Sequence, residues 1–215
     1  MSCISEIACQ GQLAMNQIAR ISGRTSEYPI DPLFLDRWSP RSFDGTPLGE
    51  EQLLTILEAA SWAPSAFNAQ PWRFVYALKG TPEFDRLLGL LVAFNQAWAK
   101  DAGALVFIVS RTHLDAKDGA EAQPIYSHSF DAGAAWGQLA LQAHLLGLHA
   151  HGMTGLDFAR VPEALGLPEG YRVEAAAAIG TRAQADRLPE ALRAREQPSP
   201  RKPLAEIAFR GSFAA

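Results

Sequence analysis

Apolar and polar positions along the chain fall into segments with two different periods. GEEQLLTILEAASWA (49–63) gathers Leu53, Leu54, Ile56, Leu57 and Ala60 on one broad face and carries acids in its opening turn, where they suit the helix dipole. It predicts a helix that stops before Pro64. WRFVYAL (72–78), aromatic and β-branched, predicts a strand. TPEFDRLLGLL opens a second helix, with Thr81 as N-cap and Pro82 at the first helical position. ALVFIVS (104–110) has the length and branching of a buried strand, and the polar RTHLDAKDGAEAQ after it reads as loop. From Ser127 to Leu146 the chain is apolar nearly all round and rich in small residues, at Ala132, Gly133, Ala134, Ala135 and Gly137. That predicts a buried helix which another helix can approach closely, with Gly147 as its stop. HAHGM (149–153) predicts a short strand, DFARVPEALG a short helix capped by Asp157, and VEAAAAIGT a further buried strand.

The two chain ends read differently. Residues 3–22 have loosely helical apolar spacing and lead into the breaker-rich SGRTSEYPIDP, an N-terminal arm. After Gly180 the chain is polar and Pro-rich through RLPEALRAREQPSPRKP before LAEIAFRGSF returns to apolar, an arm with an anchored end. Helices mixed with a few strands at irregular spacing indicate an α+β or α/β fold, and 215 residues suit one domain with long arms.

Composition narrows the function. With 48% hydrophobic and 20% charged residues the balance is globular, and a net charge of −4 argues against a general nucleic-acid surface, so any basic site is local. Cys3 and Cys9 suit neither a disulfide framework nor a zinc site. No run of about 18 apolar residues occurs and no signal segment is evident, so the expected setting is soluble and cytoplasmic, with no membrane partner. GxGxxG after a strand, GxxxxGK[ST], GxSxG and HExxH are all absent. His149 and His151 alternate, but without an obvious third ligand they read as ordinary half-buried histidines, and no metal is expected.

Three stretches carry candidate chemistry. RWSPRSFDG (37–45) sets Arg37, Ser39 and Arg41 ahead of a glycine turn. APSAFNAQPW (63–72) holds Asn68 and Gln70 between two prolines, framed by Trp62 and Trp72. SPRKP brings Arg201 and Lys202 near the end. Taken singly, the first reads equally as a solvated loop and the second as a helix-to-strand turn. Taken together, they supply guanidiniums for a phosphate and paired amides for the edge of a flat heterocycle, the equipment of a site for a phosphorylated planar ligand.

RWSPRSFDG, APSAFNAQPWRF, NQAWAKDAGALVFIV, GLHAHGMTGLD with ALGLPEGYRVEAAAAIGT, and SPRKPLAEIAF resemble the successive blocks of the FMN-dependent nitroreductase family, in its order and approximate spacing, from about Arg37 to Phe209. The resemblance implies an α+β domain over residues 31–215 after an extension at 1–30. It implies a mixed sheet flanked by helices in an intertwined homodimer, with the C-terminal arm exchanged so that LAEIAF adds an edge strand to the partner. It implies FMN as cofactor and NAD(P)H as co-substrate in a ping-pong cycle that reduces nitroaromatics, quinones or similar electron-poor molecules. Other reactions on the same fold, such as flavin or enone reduction and dehalogenation, or a non-catalytic flavin carrier, stay open.

The family's positions carry over as follows. Arg37 and Ser39, with Trp38 between them, fall where the FMN phosphate and ribityl chain are held, and Arg201 joins them on the phosphate. Arg41 falls at the pyrimidine edge and Asn95 at the pyrimidine rim. Pro64, Ser65 and Asn68, with Gln70 in the same loop, line the flavin from the partner chain. The backbone of Thr154 and Gly155 lies by flavin N5, and no side chain is implied as catalytic acid or base. Trp98 stands where some relatives have a lysine, and is expected either to face the flavin or to pack in the core. Thr154 replaces a carboxylate or glycine common at that position. Arg24 lies outside the resemblance and is expected to be silent.

Overall fold

The apolar run at 104–110 is uninterrupted because both of its faces are covered. In the computed structural model, which describes residues 23–114 and 121–213, it is β2 (Ala104–Arg111). β2 lies between β1 (Trp72–Leu78) and β4 (Tyr171–Gly180), and β3 (His149–Met153) completes a four-stranded sheet in the order β1-β2-β4-β3. Leu105, Phe107 and Val109 of β2 and Ala176 and Ala178 of β4 enter one apolar layer, with Leu87 of α3 (Pro82–Leu88) and Trp98 of α4 (Ala93–Ala99). The alternate residues Ala104, Val106 and Ile179 enter a second layer, with Leu53 and Ile56 of α2 (Glu50–Ser61) and Leu139 and Ala143 of α5 (His128–Leu145). Period-two alternation therefore sends apolar side chains into two cores, and nothing polar is required along the strand.

The fold class is α+β. The sheet, expected to be mixed, is antiparallel in every pairing among the described strands. A parallel pair needs a crossover that returns the chain in its original direction. Neither the path through α3 and α4 nor the one through α5 and β3 does so. The long helix also differs from expectation. Ala132, Ala135, Leu139, Ala140 and Ala143 are buried, but Phe130 and Leu145 are exposed and a Cβ added at Gly133 or Gly137 would meet nothing within 4 Å. The second apolar face of α5 has no cover among the described residues. Asp157 does not cap a helix directly: α6 (Val161–Leu165) begins at Arg160, whose backbone N–H donates to the Asp157 carboxylate at 3.2 Å. A turn over residues 158–160 intervenes before Pro162 sets the helix.

The chain divides into two compact units, residues 39–197 and the two ends, residues 1–38 with 198–215. The expected N-terminal arm at 3–22 lies outside the described residues. Within the unit formed by the ends, Asp31 accepts the Leu33 N–H at 2.8 Å and Pro32 starts α1 (Pro32–Asp36), a short helix concealed in a breaker-rich stretch. The LAEIAF segment, expected as a strand, is a 3₁₀ turn at Leu204–Glu206, whose Leu204 N–H donates to Glu27 at 3.3 Å. In the larger unit a further short helix, α7 (Glu190–Arg193), interrupts the polar arm. No described helix is long and apolar enough to cross a membrane.

Gly103 marks a close approach in the larger unit. Its carbonyl accepts from Lys79 at 3.0 Å and Leu48 at 3.3 Å, and its N–H donates to Ile179 at 2.9 Å. A Cβ there would stand 2.6 Å from the Thr46 carbonyl oxygen and overlap the Leu48 side chain. Gly103→Ala is expected to cost about 1–3 kcal/mol, the usual penalty for overpacking a tight interior. Urea unfolding of wild type and variant checks it, and equal midpoints would contradict the close approach.

Candidate active site

In the larger unit, the stretch that follows Trp38 is fixed by hydrogen bonds to its backbone. The Glu196 carboxylate accepts the Arg41 N–H at 2.8 and 3.0 Å and the Ser42 N–H at 2.8 Å. Ser42 Oγ donates to the Gln184 carbonyl at 2.6 Å, and His151 Nδ1 donates to the Pro40 carbonyl at 3.0 Å. This backbone delivers the Arg41 guanidinium into a half-buried place, where its Nε is buried and has no hydrogen-bond partner among the described residues. Desolvation, then the neighbouring Arg195, lower the Arg41 pKa from its ordinary value, while Glu196 raises it. His151 is pushed down to about 4, first by burial and then by Arg41, against the backbone bond to Pro40. At neutral pH it is therefore an uncharged imidazole with its proton on Nδ1.

Trp98 is settled as a packing residue. Only 1% exposed, it stacks on Phe43 at 6.4 Å and tilts against the His151 ring at 4.7 Å. Of the two expected placements, facing the flavin or packing in the core, the second is the one seen: α4 turns the indole into the core against His151. Asn95, one turn earlier on α4, is buried and donates from Nδ2 to the Gly155 carbonyl at 3.1 Å, while the Val92 N–H donates to the same oxygen at 3.0 Å. A Cβ at Gly155 would lie 2.5 Å from Asn95 Nδ2 and 2.9 Å from Val92, so only glycine permits this approach. The backbone at Thr154 and Gly155 is thereby fixed, with the Thr154 side chain exposed.

The loop with Pro64, Ser65, Asn68 and Gln70 has strained backbone. Phe67, Asn68 and Gln70 have φ of 51°, 54° and 45°, a region that costs a non-glycine residue about 1–3 kcal/mol and persists only where the surroundings impose it. The buried Asp131 carboxylate accepts the Ala66 N–H at 3.3 Å and the Ser127 hydroxyl at 2.8 Å, and Ser65 Oγ accepts the Gln70 N–H at 3.0 Å. The result is a rigid loop that holds Phe67 and Trp62 exposed. In this chain it faces solvent.

A cavity of about 430 Å³ is lined by residues that include Ser39, Trp136, Gly152, Met153, Thr154 and Glu174. Sequence reasoning missed its polar wall. A β-bulge between Ile108 and Val109 shifts the β2–β4 register at Glu174. Glu174 accepts the Ser110 hydroxyl at 2.6 Å and the Ser129 hydroxyl at 2.9 Å, and meets Arg172 at 3.1 Å. Because Ser110 gives its only hydroxyl proton to Glu174, His128 Nδ1 donates to Ser110, at 2.8 Å. Such a bulge leaves no mark on hydropathy, but a lone glutamate directly before an alanine run was its visible trace. His149 and His151, adjacent in pattern, engage the different rings of His144 and Trp98.

The chain ends form the other group of cations. Arg37 follows α1, with its N–H donated to the Leu33 carbonyl at 3.0 Å, and Trp38 is buried. Arg201 donates to the carbonyls of Ser199 and Pro200 at 3.3 and 3.1 Å. Burial and then Arg201 lower the Arg37 pKa, so these guanidiniums lie within electrostatic reach of one another. Each sequence-derived site residue is thus placed within its own unit: Arg37, Trp38 and Arg201 in the ends, the rest in the larger body.

The model of the nitroreductase family matches residues 35–181, and the chain belongs to that family. It is 32% identical to an NADH dehydrogenase of Thermus thermophilus over 173 residues, 68% of this chain and 83% of that protein. Among solved structures, a crystal structure of an oxidoreductase containing FMN superposes with a TM-score of 0.88 at 55% identity, covering 92% of this chain and 99% of that one. A nitroreductase-like protein of Desulfovibrio desulfuricans in complex with FMN superposes with a TM-score of 0.67 at 27% identity, covering 88% and 100%.

His151 yields a pH signature. Unfolded, an imidazole takes up its proton near 6.5, whereas here it does so only near 4, so between those values the unfolded state binds the additional proton. Its contribution is full above pH 6.5 and falls as pH drops toward 4, by about 3 kcal/mol. Denaturant melts at several pH values should show this slope in wild type and its loss in His151→Gln; equal slopes would contradict a buried neutral imidazole.

Proposed function

We propose that this chain, an NAD(P)H-dependent FMN oxidoreductase of the nitroreductase family, reduces small electron-poor acceptors such as nitroaromatics or quinones in a ping-pong cycle. The observation that carries the reading is Arg41: a half-buried guanidinium with an unpartnered Nε, its backbone held by Glu196 and its neighbour His151 kept neutral. A buried donor without a partner costs roughly 1–3 kcal/mol, and the anionic edge of a bound flavin is the kind of acceptor that recovers it. The glycine cradle at Gly155 and the rigid loop at 65–70 suit close approach of a planar ring.

On this reading Arg37 and Arg201 hold the phosphate, with Trp38 and Ser39 beside the ribityl chain. Arg41 holds the pyrimidine edge with Asn95 at its rim. Bound FMN supplies two-electron exchange between NAD(P)H and the acceptor. Asn95 fixes the Gly155 carbonyl and so orients the backbone N–H groups at 154–155 toward the reacting face. Arg41 places a permanent positive charge where electron density accumulates, and neutral His151 adds no competing charge at neutral pH. On this reading no side chain acts as a dedicated acid, and solvent supplies protons. One pocket serves both substrates in turn, the donor leaving before the acceptor enters.

The protein acts as a homodimer on this reading. The uncovered face of α5, with Gly133 and Gly137, meets its symmetry mate, and the loop with Pro64, Ser65, Asn68 and Gln70 lines the partner's flavin. The C-terminal arm, with Ile207, Phe209 and Phe213 exposed, packs on the partner. Purified protein is expected to be yellow and to release FMN on denaturation. Anaerobic mixing with NADH or NADPH should bleach the flavin absorbance, and a nitroaromatic or quinone should restore it. Rapid bleaching without reoxidation by any such acceptor would contradict the reading, as would flavin that neither nicotinamide reduces.

A further inference from the structure

The extension before the family block contains Arg24, eleven residues ahead of the first matched position. Arg24, expected to matter little, makes specific contacts within the unit formed by the chain ends. Arg24 Nη1 donates to the Leu35 carbonyl at 3.2 Å and to the Arg37 carbonyl at 3.1 Å. Those bonds fix its guanidinium against the backbone of α1 and of Arg37. Its pKa is lowered by burial, then by Arg201 and Arg37, with Asp36 opposing, so it shares one electrostatic neighbourhood with both arginines. The C-terminal segment is tied to the same stretch through Leu204 and Glu27. Bringing guanidiniums together in a partly desolvated place is unfavourable, and a phosphate monoester, with a charge of about −1.5 to −2 at neutral pH and several acceptor oxygens, reverses the sign of that interaction.

We propose that Arg24 is a third arm of the phosphate grip formed by Arg37 and Arg201, binding the phosphate monoester of FMN through a residue outside the family's matched region. This rests on the FMN reading above. The alternative source of the same chemistry is the 2′-phosphate of NADPH.

The test titrates apo wild type, Arg24→Gln, Arg24→Lys and Arg37→Ala with FMN and with riboflavin, which lacks the phosphate. Glutamine retains a donor for the Leu35 and Arg37 carbonyls without the charge. The expected result is an FMN affinity at least tenfold weaker in Arg24→Gln, a riboflavin affinity within twofold of wild type, a shallower salt dependence for FMN, and an unchanged apo melting temperature. An FMN-to-riboflavin ratio equal to that of wild type, or equal losses for both ligands, would overturn the proposal. So would an unchanged ratio accompanied by reduced selectivity for NADPH over NADH, which would assign Arg24 to the nicotinamide. If Arg24→Gln melts early, Arg24→Lys decides: recovery of the ratio supports a charge contact, and a ratio as low as glutamine's refutes it. A wild type that binds no flavin, or binds FMN and riboflavin alike, fails the FMN reading itself.

Discussion

A guanidinium cannot shed its proton to escape burial, so every arginine that a fold withdraws from water must be met by fixed partners or by an anion. This constraint organises the candidate site. Arg41 is held half-buried by a backbone pinned to Glu196, and beside it stands His151, which gives up its own charge to remain there. At the chain ends Arg201 makes the charges of Arg24 and Arg37 more costly, and Arg37 adds to the cost at Arg24. The proposed ligand is anionic at its phosphate and at its ring edge. Placing cations in these positions before the ligand arrives shifts the cost of ordering them onto folding, which is how preorganised sites bind tightly.

The scaffold explains how that cost is met. A sheet covered on both faces, with Leu105 and Phe107 in one layer and Val106 and Ile179 in the other, supplies apolar burial that can offset strained and desolvated groups. The strain lies where the chemistry is proposed: left-handed backbone at Phe67, Asn68 and Gln70, a glycine-only approach at Gly155, and a bulge that aims Glu174 into the cavity. Trp98 belongs to the scaffold. It packs on Phe43 and His151 beneath the stretch that carries Arg41.

Much of the architecture was legible in the sequence. Strand periodicity and the caps at Thr81 and Gly147 are local signals, and β1 to β4, α2, α3 and α5 follow them. What escaped depends on tertiary placement. α1 forms in a stretch dominated by breakers because Asp31 and Pro32 happen to suit a first turn. The antiparallel sheet follows from connection geometry, and the open face of α5 reads as core because hydropathy cannot distinguish a helix buried in its own chain from one left for another surface. Of the candidate site, Arg37, Arg41, Asn95 and Arg201 were identifiable by family resemblance, whereas Arg24 and Glu174 were not. Their significance comes from neighbours distant in sequence, Arg201 in one case and Ser110 and Ser129 in the other.

The half-buried charge of Arg41 is proposed to stabilise the electron-rich edge of the bound flavin. The most direct test of this is the two-electron midpoint potential of holo wild type against Arg41→Gln, measured by dye-linked titration at neutral pH. Loss of one partly solvated cation beside the ring is expected to lower the potential by on the order of tens of millivolts, about 30 mV for each roughly 1.4 kcal/mol of lost stabilisation. An unchanged potential in a variant that still holds FMN stoichiometrically would contradict the account.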